Sequence, residues 1–339
     1  MIAERLGAQL LSGPPAVDPE SVAARLLAIQ AQDPRGARLA IRARSEVESV
    51  TEVDRALTDG RSLLISWLNR GTLHLVRSED YPWMQALTTP QVRSANARRL
   101  AQEGVTPAAA ERGAAVIERS LEDEGPLSRL QLRERIARAG VRTEGQALVH
   151  LLMHACLRGI AVRGPMAGRE HAYALVRDWL GVPPPVDRER ALAELARRYL
   201  AGHGPADDRD LAKWAGVTLT DARAGLAAIA SELEPAGVGR VTLAGRAITE
   251  ELPAPRLLGA FDPMLMGWRS REQILASHEP LVVSGGLFRP IAIVRGRAVA
   301  TWRIRSGEVV LEPFAALASE HAAALDADAL EVTRYLATP

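Results

Sequence analysis

Two glutamines one residue apart, Gln30 and Gln32, stand directly before Asp33-Pro34. These are the residues of the chain whose types and spacing can do chemistry. A carboxamide is no useful base near neutral pH, but its carbonyl accepts and its NH2 donates, so two that converge can position a water molecule. The stretch before them reads as a helix. Asp18 can cap it, Pro19 suits its first position, and Glu20 favours its positive end. Val22, Leu26 and Ile29 recur on one face, and Gln30 extends that stripe. Pro34 disfavours helical backbone at Asp33, which predicts a helix end near Gln32. Side chains two apart on a helix diverge by roughly 200°, so the pair converges only where the backbone leaves the helix. Two readings fit these residues taken alone. One is a core glutamine followed by a frayed surface glutamine; the other is a water-positioning pair.

The elements around the pair repeat a plan. Residues 1–12 read as a short amphipathic helix. Residues 35–44 are ambiguous between helix and strand, and Thr51 can cap a helix through Leu57. The runs 63–68 and 72–76 around Asn69-Arg70-Gly71 predict a hairpin. His74 on its second strand is either a packed or a site histidine. A second block follows, with helices over 107–123, 130–139 and 146–158. Strands at 160–162 and 173–176 flank a tip containing Arg163 and Arg169. After the linker Gly181-Val182-Pro183-Pro184-Pro185, a third block has helices at 188–200, 210–215 and up to Ile229, the last capped by Thr220 or Asp221, then a strand at 238–243. Helix, helix, hairpin is a winged-helix order, and its recurrence predicts a tandem array. From Leu257 the pattern changes to short strand-like runs at 281–283, 290–294 and 299–304, with Arg295-Gly296-Arg297 as a hairpin tip. Those suggest a small barrel or sheet. The expected divisions are 1–105, 106–182, 186–254 and 255–339, in a predominantly helical α+β chain.

Composition narrows the class. The 339 residues suffice for several domains, and the net charge of +1 argues only weakly against nucleic acid. The basic residues are nearly all arginine, whose planar fork suits phosphates and base edges. Few aromatics disfavour a stacking platform for single strands. One cysteine, Cys156 in an apolar helix, excludes an internal disulfide and a cysteine-rich zinc site. The histidines are scattered, so no metal and no cofactor is expected. No apolar run is long enough for a membrane span, and no signal peptide is read, so a cytoplasmic protein without membrane contact is expected.

Three stretches together resemble the winged-helix DNA glycosylases of the AlkZ and YcaQ type over nearly the whole chain. They are Gln30-Ala31-Gln32, Arg70-Gly71-Thr72-Leu73-His74-Leu75-Val76, and Ala260-Phe261-Asp262-Pro263 with the arginines just after. The resemblance implies three winged helices and a C-terminal barrel, arranged as a C around a DNA channel. It implies excision of alkylated purines from double-stranded DNA, with Gln30 and Gln32 catalytic; separately, a monomer is expected. Glutamine rather than aspartate at position 32 points to the AlkZ-like branch, tied to self-resistance in producers of DNA-alkylating natural products. Asp33 and His74 are auxiliary candidates. Arg70, Thr72, Arg163, Arg169, Arg269, Arg271, Arg295 and Arg297 are candidates for DNA contact, solvated surface being the alternative for Arg269 and Arg271.

Neutral amides suffice only for an activated leaving group. An N7-alkylguanine qualifies, because its ring carries a positive charge that departure neutralises. Two rival readings remain: a winged-helix DNA-binding regulator without enzymatic activity, and a protein that sequesters free drug. The apolar helix 146–158 disfavours the first, since it offers few base-reading side chains.

Overall fold

The computed structural model describes residues 1–168, 170–246 and 252–337. Its contacts divide into two compact units, Met1–Val53 with Leu192–Pro339, and Asp54–Ala191.

The first unit opens with α1 (Ile2–Ala8), α2 (Pro19–Leu26), the extended β1 (Ile29–Gln30) and α3 (Pro34–Arg42). The ambiguous stretch after Pro34 is therefore helical. Proline at its first turn and Asp33 as its cap explain the choice. α4 (Val50–Thr58) then leads into the second unit; its cap is Ser49, whose Oγ accepts from Thr51 N, not Thr51 itself.

In the second unit, β2 (Leu63–Leu68) and β3 (Thr72–Arg77) form the expected hairpin, with Leu68 opposite Thr72 and Ser66 opposite His74. Gly71 at its turn has φ +78°, and an added Cβ would meet Val92 Cγ1 at 2.9 Å, so only glycine fits. Helices α5 (Tyr81–Thr88), α6 (Pro90–Gln102), α7 (Pro107–Glu124), α8 (Arg129–Arg138) and α9 (Ala147–Leu157) follow. β4 (Ala161–Ala167) and β5 (Glu170–Leu175) complete a sheet whose order here is β3-β2-β4-β5. α10 (Val176–Leu180) closes the unit.

α9 turns its apolar side into the core. Leu148, Leu151, Leu152 and Cys156 on it are buried with Leu132 and Ile136 of α8 and Tyr173 of β5. Burial pushes the Cys156 thiol up to about 12, as expected of an inert core cysteine.

The chain returns to the first unit through α11 (Arg188–His203), then α12 (Asp208–Ala215), α13 (Leu219–Ala228) and the ribbon β6 (Leu233–Pro235) with β7 (Val241–Leu243). Thr218, not Thr220 or Asp221, caps α13, its side chain accepting from Asp221 N. This segment repeats that of α7 to β5. Gly125-Pro126-Leu127-Ser128 and Gly204-Pro205-Ala206-Asp207 hold equivalent places. In each, the third residue makes an isolated β-bridge, Leu127 to Tyr173 and Ala206 to Val241, and the fourth caps the next helix.

The C-terminal part contains β8 (Arg256–Leu258), three short helices α14 (Pro263–Met266), α15 (Glu272–Leu275) and α16 (Glu279–Val282), and the ribbon β9 (Val283–Ser284) with β10 (Leu287–Phe288). It ends with β11 (Ile291–Val294), β12 (Arg297–Arg305), β13 (Glu308–Pro313) and α17 (Ser319–Ala337). Among the described residues the sheet β13-β12-β11-β8 is open, with two edges, and so is not the closed barrel expected there. Four strands are too few to close, and α17 packs against β8 and β13 instead. Residues 281 and 282, expected in a strand, belong to α16, where Pro280 sits in the first turn.

Candidate active site

α2 starts as its sequence demands, with Asp18 accepting from Ser21 N at 2.7 Å. It ends six residues before the expected place. Leu27 adopts φ +64°, and its N–H closes on Ala23 O, so Leu26 is the last helical residue. The segment Ile29–Gln30 is extended. Alternate side chains of an extended chain share a face. The two glutamines therefore converge where the chain has already left α2, Gln30 extended and Gln32 in the bend that follows, and not because a helix frays between them. Pro34 acts as foreseen on Asp33, which is extended at φ −102°, ψ 108°.

The pair is joined directly: Gln30 Nε2 donates to Gln32 Oε1. Gln30 is 4 % exposed, and its Oε1 has no hydrogen-bond partner among the described residues. Gln32 is exposed. Asp33 beside it is engaged in capping, its Oδ1 accepting from Arg35 N at 2.9 Å and Gly36 N at 3.0 Å.

The pair stands on a rigid base. α3 lies against the turn after β8 with no room for a side chain. A Cβ on Gly36 would sit 2.3 Å from Ala260 O, and one on Gly259 would sit 2.8 Å from Gly36 Cα. Two residues further, Asp262 forms a wholly buried ion pair with Arg44, at 2.9 Å to Nη1 and 2.6 Å to Nη2. Arg44 also donates to Ala40 O and to Gln9 O and Oε1, and Asp262 accepts from Met264 N at the start of α14. Both charges are thus hydrogen-bonded as well as paired, which burial requires. The Gln30-Ala31-Gln32 stretch and the Ala260-Phe261-Asp262-Pro263 stretch belong to one assembly. Nothing in the local sequence marked Arg44 as its clamp.

The middle stretch lies in the second unit. Arg70 takes φ +47° in the β2–β3 turn, and Thr72 Oγ1 donates to Asn69 O at 3.4 Å. His74 is 2 % exposed, with Nδ1 donating to Thr72 O at 3.0 Å. Burial, then the Arg70 guanidinium, depresses its imidazole to about 3, so it is neutral at working pH. The packed reading fits this histidine. Asn69 was not singled out by its sequence; it is fully buried, and its amide Oδ1 and Nδ2 have no partner among the described residues.

The arginine candidates scatter. Arg163 is not at the β4–β5 tip. It lies within β4 opposite Tyr173 and Ile65, half-buried, with its guanidinium 5.7 Å from the Tyr173 ring. Arg169 lies outside the described residues. Arg269 bonds Asp207 Oδ2 at 3.1 Å and approaches Asp210. Arg271 bonds Leu265 O and Glu279 Oε1 and stacks on Phe288. Among the described candidates, Arg295 and Arg297, flanking Gly296 in the β11–β12 turn, are the two exposed on a tip as expected.

The helical chain with antiparallel sheets thus carries two joined carboxamides beside tightly packed backbone. The family model described as DNA glycosylase AlkZ-like matches residues 23–335. A curated relative from Streptomyces sahachiroi, the interstrand DNA cross-link repair glycosylase, is 28 % identical over 319 residues, covering 86 % of this chain and 84 % of the relative. The solved structure of the Streptomyces sahachiroi DNA glycosylase AlkZ superposes with a TM-score of 0.78 at 23 % identity, covering 98 % of this chain and 95 % of that one. This chain belongs to the AlkZ-like family of DNA glycosylases.

Proposed function

We propose that this enzyme is a monofunctional glycosylase that acts on duplex DNA. It releases N7-alkylguanine or unhooks interstrand crosslinks, as self-resistance to a DNA-alkylating natural product. The observation that carries the chemistry is the joined, uncharged Gln30–Gln32 pair in an otherwise rigid turn. The relative named for interstrand cross-link repair supports the crosslink half of the reading. The recurring order of helix, bridge, helix, helix and hairpin supports reading α7 to β5 and α11 to β7 as winged helices. The stretch before α7, ending in the β2–β3 hairpin, is read as a further one.

In the reaction, the C1′–N9 bond of a cationic N7-alkylguanine breaks and its electron pair neutralises the purine. Water held at the glutamine pair adds its oxygen to C1′, and its proton passes to solvent. The products are an abasic sugar and the neutral modified base. The leaving group needs no protein acid, and the water is delivered rather than deprotonated by a strong base. That explains how a site whose neighbouring carboxylate, Asp33, is engaged in capping can suffice.

The test incubates the purified protein with duplexes carrying a defined N7-alkylguanine adduct. Heat or alkali then reveals abasic sites. Strand cleavage at the adduct, with free modified base in solution, is the expected result. Sequence-specific binding to undamaged duplex without base release would refute it.

A further inference from the structure

We infer that the two glutamines are not equivalent: Gln32 touches the attacking water through Oε1, and Gln30 is a positioning residue that holds Gln32. This rests on the glycosylase reading above.

Three observations divide the roles. First, Gln30 is buried and its Oε1 is closed off, whereas Gln32 is exposed. A water attacking a DNA sugar can reach only the second of them. Second, the bond between them runs from the Gln30 NH2 to the Gln32 carbonyl. That donor occupies one lone pair of Gln32 Oε1 and orients the other, leaving an acceptor aimed outward. Third, the buried Gln30 Oε1 has no partner among the described residues. A buried carbonyl in that state works against stability. Among the described residues the one side-chain hydrogen bond of Gln30 is the one to Gln32.

The consequence is quantitative. An exposed glutamine with no anchor samples many rotamers, and fixing them costs on the order of 10- to 30-fold in population. Gln30 removes that cost from the reaction. Gln30→Met keeps length and flexibility but deletes both the donor and the stranded acceptor. Single-turnover base release from a duplex with N7-methylguanine is expected to slow about 10- to 30-fold. Duplex affinity should stay within about twofold, and melting temperature should not fall. Gln32→Leu is expected to slow release by roughly 10²- to 10⁴-fold, the range for assisting a proton-bearing nucleophile. Gln32→Glu, which still accepts from Gln30, should lie far above Gln32→Leu.

The deciding measurement is the cycle of Gln30→Met, Gln32→Leu and the double variant. If Gln30 acts through Gln32, adding Gln30→Met to Gln32→Leu changes the rate less than about twofold. If the two losses multiply instead, or if Gln30→Met lowers the melting temperature and leaves the rate intact, the division of roles is wrong. Should Gln32→Leu itself retain full rate, the glycosylase site assignment fails rather than this refinement of it.

Discussion

Gly36→Ala tests whether the base under the glutamine pair governs the reaction. The added methyl would lie 2.3 Å from Ala260 O, where ordinary contact begins near 3.4 Å. α3 and the turn after β8 must therefore separate by about 1 Å. Neither side can yield cheaply, because the obstacle is backbone and because Arg44 and Asp262 tie the same two segments together inside the core. Overpacking of this kind costs about 1–3 kcal/mol, or a fall in melting temperature of about 3–10 °C for a unit of this size. The displaced helix is capped by Asp33, the residue after Gln32. A misplacement of about 1 Å costs up to roughly 10²-fold in rate. Single-turnover release from an N7-methylguanine duplex, with duplex affinity measured alongside, should show the rate falling 10- to 100-fold and affinity nearly unchanged. Gly60→Ala is the control, since its Cβ would meet its nearest neighbours at an ordinary 3.5 Å. A Gly36→Ala protein that melts within about 1 °C of the parent and reacts within twofold would show that the packing has slack and that the base under the pair is not rigid.

Two further outcomes follow from the buried histidines and the exposed arginines. Burial depresses His74 and His203 to about 3 each, below the 6.5 of an unfolded chain, so the unfolded state binds two protons that the folded state refuses. Their contribution is fully present above about pH 6.5 and is lost as pH falls toward 3. Between pH 5 and 6 the pair should add a slope of up to about 2.7 kcal/mol per pH unit to the unfolding free energy, and urea titrations with a flat slope there would contradict the assignment. Replacing both Arg295 and Arg297 by alanine should lower the slope of log affinity against log salt by about 1.8, while Arg269→Ala, already held by Asp207 and Asp210, should change it less; equal slopes for all three proteins would remove the β11–β12 tip from DNA contact.

Several parts of the fold could be read directly because local chemistry decided them. The β2–β3 hairpin announced itself through two apolar runs about a short turn, and Pro34 fixed the extended residue before it, while the stretch after it stayed open between helix and strand. The end of α2 could not be read. Leu27 takes a left-handed backbone that its own side chain disfavours, so tertiary packing imposes it. The glutamines were nonetheless paired correctly, on a mistaken backbone. Arg44 was invisible for a different reason: an arginine is ordinarily solvated, and only the fold reveals that Asp262 waits for it. Arg163 was misplaced because β4 runs on to Ala167, past Val162, where the strand was expected to end.

The inward turn of α9 has an effect on how the protein reads duplex. Eight of its eleven residues are buried, so that helix has few side chains left to read base edges. Contacts to phosphates position a protein on duplex without carrying sequence information, which suits an enzyme whose lesion can arise beside any neighbour.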